Sequence, residues 1–307
     1  MFIRRYVIRN LLLGLGLLAA SPAPEAEAQS PAPRCKFADG ISSCNMLRNA
    51  GDDFRDAFDE DVLMIPNPSV RNGVLEVTVF RRKQDQGKTG LPLAILNHGS
   101  AGLPDASQQP RERPIEQAKY FLQRGYLVAA PMRTGFSKST GPRYFRCDHY
   151  DYALRYQDNI ETTIDYFIKT AGADKDNVVV TAQSNGGMVS LAYAAKPNKA
   201  KLVVNFSGGV DAPNCDWVTG MTESAKKFGA QARLPMLWIY SRTDKIFPPS
   251  VSVSFFLAYQ SNGGKGEFYL FDDGGHGIWN SQNGRNSWSG LLDEKLKAAG
   301  LPWEKRG

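Results

Sequence analysis

Three residues of this 307-residue chain have the types and the order that nucleophilic acyl chemistry requires: Ser184, Asp244 and His276. A serine hydroxyl is a weak nucleophile and needs a neighbouring base. The chain offers three histidines, His98, His149 and His276. Only His276 follows both a candidate nucleophile and a candidate acid. It lies in Asp272-Asp273-Gly274-Gly275-His276-Gly277, where flanking glycines allow a loop to fold back across a sheet edge. Asp244, in Ser241-Arg242-Thr243-Asp244-Lys245, would hold the imidazole in one tautomer and stabilise its charged form. Asp211 is the alternative acid. Each residue also has an ordinary role open to it: a helix-capping serine, a turn aspartate, a core or surface histidine.

The surroundings of Ser184 sharpen the reading. Ala182-Gln183-Ser184-Asn185-Gly186-Gly187 stands between an apolar run and a run of small residues. A strand-to-helix turn that projects a nucleophile needs small residues two before and two after it, because larger ones would collide with the adjoining strand and helix. Ala182 and Gly186 meet that need. Such a turn sets the first N–H groups of a helix beside the hydroxyl, where they can stabilise an oxyanion. The second donor should come from Asn97-His98-Gly99-Ser100, after an earlier apolar run. The backbone N–H groups of Ser100 and Asn185 are the expected pair. His98 is expected to bond within its own loop, since no metal-ligand partners are spaced around it, and no metal site is expected elsewhere.

The elements needed to position these residues can be read from periodicity. Val74 to Phe80, Leu93 to Leu96, Leu127 to Ala130, Val178 to Thr181, Leu202 to Phe206, Met236 to Tyr240 and Phe268 to Phe271 read as strands. Pro114 to Arg124, Tyr152 to Thr170, Gly186 to Ala195, Val251 to Gln260 and Leu291 to Ala299 read as helices. Alternation of short apolar strands with helices predicts an α/β fold, a mostly parallel central sheet with helices on both faces. In such sheets function collects beyond the carboxyl ends of the strands. Ser207 to Gln231 is longer than a simple connection and is expected to shape a pocket in part. Trp217 within it, and Trp279 three residues after His276, are pocket candidates, with core packing as the competing role.

Met1 to Asn10 is a basic leader, Leu11 to Ala20 an apolar run of ten, and Ala26-Glu27-Ala28 a small-residue cleavage site. This predicts a signal peptide over 1–28, by the general or the twin-arginine route, and a periplasmic or secreted protein. Ten apolar residues fall short of the roughly 20 needed to span a bilayer, so no stable membrane insertion is expected after cleavage. An N-terminal extension over 29–60 and a catalytic domain over 61–307 complete the organisation. Cys35, Cys44, Cys147 and Cys215 permit two disulfides in three connectivities. Cys35 with Cys44 would be a local bridge in the extension, and Cys147 with Cys215 would tie two loops of the domain. The net charge of +6 is scattered and not gathered into a stripe, which argues against a nucleic-acid partner.

Taken together, His98-Gly99-Ser100, Pro131-Met132-Arg133-Thr134-Gly135-Phe136-Ser137, the Ser184 turn, Asp244 and Gly275-His276-Gly277 resemble the dienelactone hydrolase-like branch of the α/β-hydrolase superfamily. The order Ser184, Asp244, His276 is that superfamily's order. The resemblance runs from about Val74 to the C-terminus. It implies a serine hydrolase acting on a small-molecule carboxyl ester, with no cofactor, and a loop around Phe136 lining the mouth of the site. True dienelactone hydrolases have cysteine where this chain has Ser184. Peptidase or amidase activity with the same triad, or a binding protein that keeps the fold, are the alternatives.

Overall fold

A computed structural model describes residues 57–306, apart from Pro104 and Phe145, and the backbone of two short strands before them. The chain divides into two units, Met1–Asp53 and Phe54–Gly307. In the first, β1 (Lys36–Ala38) pairs antiparallel with β2 (Ile41–Ser43). The signal peptide and the Cys35 and Cys44 pairing lie outside the described residues.

The second unit is built on one eight-stranded sheet. Its strands are β3 (Phe58–Asn67), β4 (Gly73–Arg82), β5 (Leu93–Asn97), β6 (Leu127–Pro131), β7 (Val178–Gln183), β8 (Ala200–Phe206), β9 (Met236–Ser241) and β10 (Gly266–Phe271). They run in the spatial order β3-β4-β6-β5-β7-β8-β9-β10. The six strands from β5 onward are parallel to their neighbours in that set. β4 pairs antiparallel with β6, and β3 antiparallel with β4. This is the mostly parallel α/β sheet that the sequence predicts. The inner strands β5, β6 and β9 are buried at every position, as expected where helices cover both faces.

Among the described residues, five α-helices join the strands and a sixth follows β10: α1 (Ile115–Leu122), α2 (His149–Ala171), α3 (Asn185–Ala194), α4 (Trp217–Gln231), α5 (Pro249–Ser261) and α6 (Gln282–Ala298). From β5 the chain moves outward through β6, and from β7 it moves outward the opposite way. Parallel crossovers are right-handed, so α1 and α3 fall on opposite faces. α1 packs with α6, while α2 packs with α3 and α4, and α4 with α5. Local chemistry sets the ends. Asp148 accepts from Asp151 N–H at 2.9 Å to start α2, and Gly172 at φ 60° ends it. Ser281 caps α6 by accepting from Gly284 N–H at 3.0 Å.

Three elements differ from the sequence expectation. β3 opens at Phe58 and carries Asp59, Glu60 and Asp61, which break its apolar alternation. Glu60 is matched across space by Arg111 and Arg113, partners that no local pattern reveals. The second unit therefore takes in residues before 61. The long connection after β8 holds a whole helix, α4, and α6 begins nine residues ahead of the expected Leu291.

Candidate active site

β5 and β7 are hydrogen-bonded neighbours, with Asn97 opposite Ala182. They are also the strands from which the chain departs in opposite directions, so a crevice opens beyond their carboxyl ends. The residues that follow them, His98-Gly99-Ser100 and Ser184-Asn185, are thereby brought side by side. Ser184 has φ 53° and ψ −124°, a strained backbone for a residue with a side chain. The turn is that tight because α3 starts against the end of β5. A Cβ on Gly186 would lie 2.4 Å from the carbonyl oxygens of both Asn97 and His98. Asn97 Nδ2 donates to the Gly186 carbonyl at 3.1 Å and locks the approach. Gly99 packs on the Ser184 turn as well: a Cβ on it would stand 3.0 Å from Ser184 Cβ.

Asp244 and His276 come from separate loops, three residues past β9 and five past β10. They meet through His276 Nδ1 and Asp244 Oδ2, 3.0 Å apart. The Asp244 side chain is fully buried, and that of His276 keeps 23% of its exposure. The other Asp244 oxygen accepts from the N–H groups of Ile246 and Phe247 at 2.9 and 3.0 Å. Burial pushes the Asp244 carboxyl up, but the hydrogen bond from His276, these amide donors and the His276 charge outweigh it. The net position is below the ordinary aspartate value of 3.8. The His276 loop is tied down in turn. Gly275 N–H donates to Ser241 Oγ and Thr243 Oγ1, and Gln183 Nε2 donates to the His276 carbonyl at 3.2 Å. Asp244 thus engages Nδ1, and Nε2 is the other ring nitrogen.

The remaining candidates have distinct places. Ser100 is half-buried directly after Gly99, and Asn185 is buried as the first residue of α3. Trp217 is half-buried and meets Phe247 edge-on at 5.9 Å, and Phe247 lies 5.5 Å from the His276 ring. An aromatic wall therefore runs from α4 to the imidazole. Phe136 is 2% exposed and packs edge-on against His98 at 5.1 Å, so it supports the Gly99 loop from behind. Trp279 is 3% exposed, and its carbonyl accepts from Gln117 of α1 at 3.0 Å, which seats it against that helix. Cys147 and Cys215 form a disulfide with a Cα–Cα distance of 5.9 Å, joining the segments that lead into α2 and α4. His98 is fully buried. Burial, with the Arg133 charge, holds its pKa well below 6.5, so the ring is neutral. His149 lies between the carbonyls of Cys147 and Val210, 3.0 Å from each, and donates to one of them.

Sequence reasoning missed Gln183, Gln109 and Phe247. Gln183 occupies the variable position of the nucleophile turn, and Phe247 follows Asp244 by three residues. Their spacing to Ser184 and Asp244 was the available signal.

Residues 115–293 match the model of the prolyl oligopeptidase family, which spans α1 through most of α6 and includes Ser184, Asp244 and His276. The chain belongs to the prolyl oligopeptidase family. Membership makes it a serine hydrolase with the α/β-hydrolase fold. No curated protein matches it in sequence. Among solved structures, this family member is similar to the esterase Est2 of Thermogutta terrifontis with propionate bound. The two share 16% identity and a TM-score of 0.57 over 80% of this chain and 97% of that one. A Klebsiella pneumoniae protein classed as a dienelactone hydrolase gives 14% identity and a TM-score of 0.56 over 80% and 99%. The acylaminoacyl peptidase of Pyrococcus horikoshii gives 14% and 0.56, over 88% of this chain but 45% of the peptidase. The prolyl oligopeptidase family member described here thus spans less than half of that peptidase. These identities establish the shared fold. Among the described residues, no helix is long and apolar enough to cross a membrane.

Proposed function

We propose that this protein cleaves carboxyl esters of small molecules through an acyl-enzyme formed on Ser184. The observation that carries the reading is the Asp244–His276 hydrogen bond, which leaves Nε2 to act as base. His276 takes the Ser184 proton as the hydroxyl oxygen attacks the ester carbonyl. The backbone N–H groups of Ser100 and Asn185 receive the oxyanion. His276 then gives the proton to the departing alcohol. Water, activated by the same nitrogen, adds to the acyl-enzyme and releases the acid. Losing one oxyanion donor typically costs about 2.7–4 kcal/mol of barrier, so donors fixed in the backbone are effective ones. Trp217 and Phe247 would take an apolar acyl or aromatic group. The Cys147–Cys215 disulfide supports a periplasmic or secreted location, in keeping with the leader sequence.

Ester substrates accord with the structural likeness to an esterase of this fold. The family match favours the second reading, cleavage of a peptide or acyl-amino acid bond. The test is hydrolysis of p-nitrophenyl acetate, butyrate and octanoate beside aminoacyl and acyl-dipeptide p-nitroanilides, with Ser184→Ala and His276→Ala as controls. Ester turnover abolished by both substitutions is the expected result. Turnover that survives Ser184→Ala would overturn the nucleophile, and preferential anilide cleavage would establish the second reading.

A further inference from the structure

Arg133 is one of the largest fully buried side chains in the protein, at 0% exposure. Its guanidinium bonds go to neutral oxygens gathered at the end of β5. Nη1 donates to Asn97 Oδ1 at 3.2 Å and to the His98 carbonyl, and Nη2 donates to the Gly99 carbonyl at 3.3 Å. Arg133 N–H donates to His98 Nε2 at 2.9 Å. A neutral ring that accepts at Nε2 carries its proton on Nδ1, and Nδ1 faces the Gly99 carbonyl. Gln109 closes the bracket. Its Oε1 accepts from Ala101 N–H at 2.9 Å, and its Nε2 reaches the Gly99 carbonyl at 3.4 Å.

Burying a guanidinium is costly unless its donors are used, so the arrangement calls for a purpose. Peptide geometry supplies one. The described chain contains no cis peptide, and in a trans peptide the C=O and the following N–H point opposite ways. Three side chains draw the Gly99 carbonyl into the buried cluster. The Ser100 N–H must therefore point out of it, and Gly99 itself packs closely on Gln183 and Ser184. A planar two-pronged donor suits this task, because it holds two successive carbonyls at once and so fixes the rotation of the peptide between them.

We propose that Arg133 is a positioning residue for oxyanion stabilisation: by clamping the His98 and Gly99 carbonyls it aims the Ser100 N–H at the carbonyl oxygen of the substrate. The proposal rests on the acyl-transfer reading above. Lysine keeps the charge of Arg133 but reaches only one carbonyl, so Arg133→Lys separates aiming from charge alone. Gln109→Leu removes other bonds to the same loop and leaves Arg133 in place.

The experiment measures p-nitrophenyl butyrate kinetics for parent, Arg133→Lys, Arg133→Met and Gln109→Leu. Each preparation is normalised to active sites by end-point fluorophosphonate titration, so misfolded protein does not count. Affinity for an alkyl trifluoromethyl ketone, which binds as a tetrahedral adduct with an oxyanion, is measured on the same samples. The expected result is a kcat lower by roughly a hundred-fold in both Arg133 variants, KM within about two-fold of the parent, and ketone affinity falling in parallel. Gln109→Leu should show the same pattern with a smaller fall. Arg133→Lys with kcat within about two-fold of the parent, or a lost kcat with unchanged ketone affinity, would overturn the proposal. A parent that neither labels nor turns over ester overturns instead the reading beneath it, and the two failures are told apart by that labelling.

Discussion

Gln183, the residue immediately before Ser184, donates its side-chain amide to the backbone carbonyl of His276 at 3.2 Å. The bond joins the turn that carries Ser184 to the loop that carries His276, across 93 residues of sequence. Gln183 thus anchors the His276 backbone, while Asp244 holds the imidazole ring.

Gln183→Leu keeps the volume of that side chain and removes the donor. The His276 loop then relies on Gly275 alone at its base. Misplacement of a reacting group by about 1 Å can cost a hundred-fold in rate. A fall of ten-fold or more in kcat for p-nitrophenyl butyrate is expected, with KM little changed and melting temperature within a few degrees. An unaltered kcat would show that Asp244 by itself orients the ring.

Gly186 should tolerate no side chain. The methyl group of Gly186→Ala would press on two backbone carbonyls, neither of which can swing aside as a side-chain tip could. Overpacking of this kind typically costs about 1–3 kcal/mol. Both a lower melting temperature and loss of esterase activity are expected, since relief requires α3 to move away from β5 and take Ser184 with it.

The Cys147–Cys215 bridge closes a separation of 68 residues, for which stabilisation of about 2–4 kcal/mol is typical. Urea denaturation of the Cys147→Ser/Cys215→Ser double variant should show a loss in that range. Trp217 stands two residues beyond Cys215, so the variant should also raise KM for octanoate esters more than for acetate. Equal effects on both chain lengths would separate the bridge from the aromatic wall.

Glu112 provides a pH signature. Burial pushes its carboxyl up to about 7, and the Arg133 charge offsets only part of that rise from 4.5. The folded protein therefore binds more protons than the unfolded chain between pH 4.5 and about 7. Stability contributed by the protonated group is present below 4.5 and is lost as pH rises to 7. Glu112→Gln does not titrate, so it should gain stability over the parent at pH 8 and little at pH 4. Because the side chain keeps some solvent contact, the gain is on the order of 1 kcal/mol. Thermal melts at the two pH values measure it, and an equal difference at both would show that Glu112 titrates as an ordinary glutamate.

What could be read in the linear chain was whatever depends on near neighbours. Seven of the eight strands of the main sheet announce themselves as short apolar runs, because a strand covered on both faces needs apolar residues at every position. The nucleophile turn was visible for a similar reason: the steric demand on Ala182 and Gly186 falls within two residues of Ser184. β3 was not visible, because Glu60 in it is compensated by Arg111 and Arg113 from a distant loop. Nothing local revealed that Cys147 pairs with Cys215, or that Gln183 reaches His276. The candidate roles of Ser184, Asp244 and His276 were read from residue type and order. Their placement was not, since Asp244 and His276 meet only where the loops after β9 and β10 come together. The buried bracket was legible in part: a bond of His98 within its own loop was expected, and it reaches the Gly99 carbonyl. The bonds that Arg133 and Gln109 make to that carbonyl belong to tertiary structure, because they join segments far apart in the sequence.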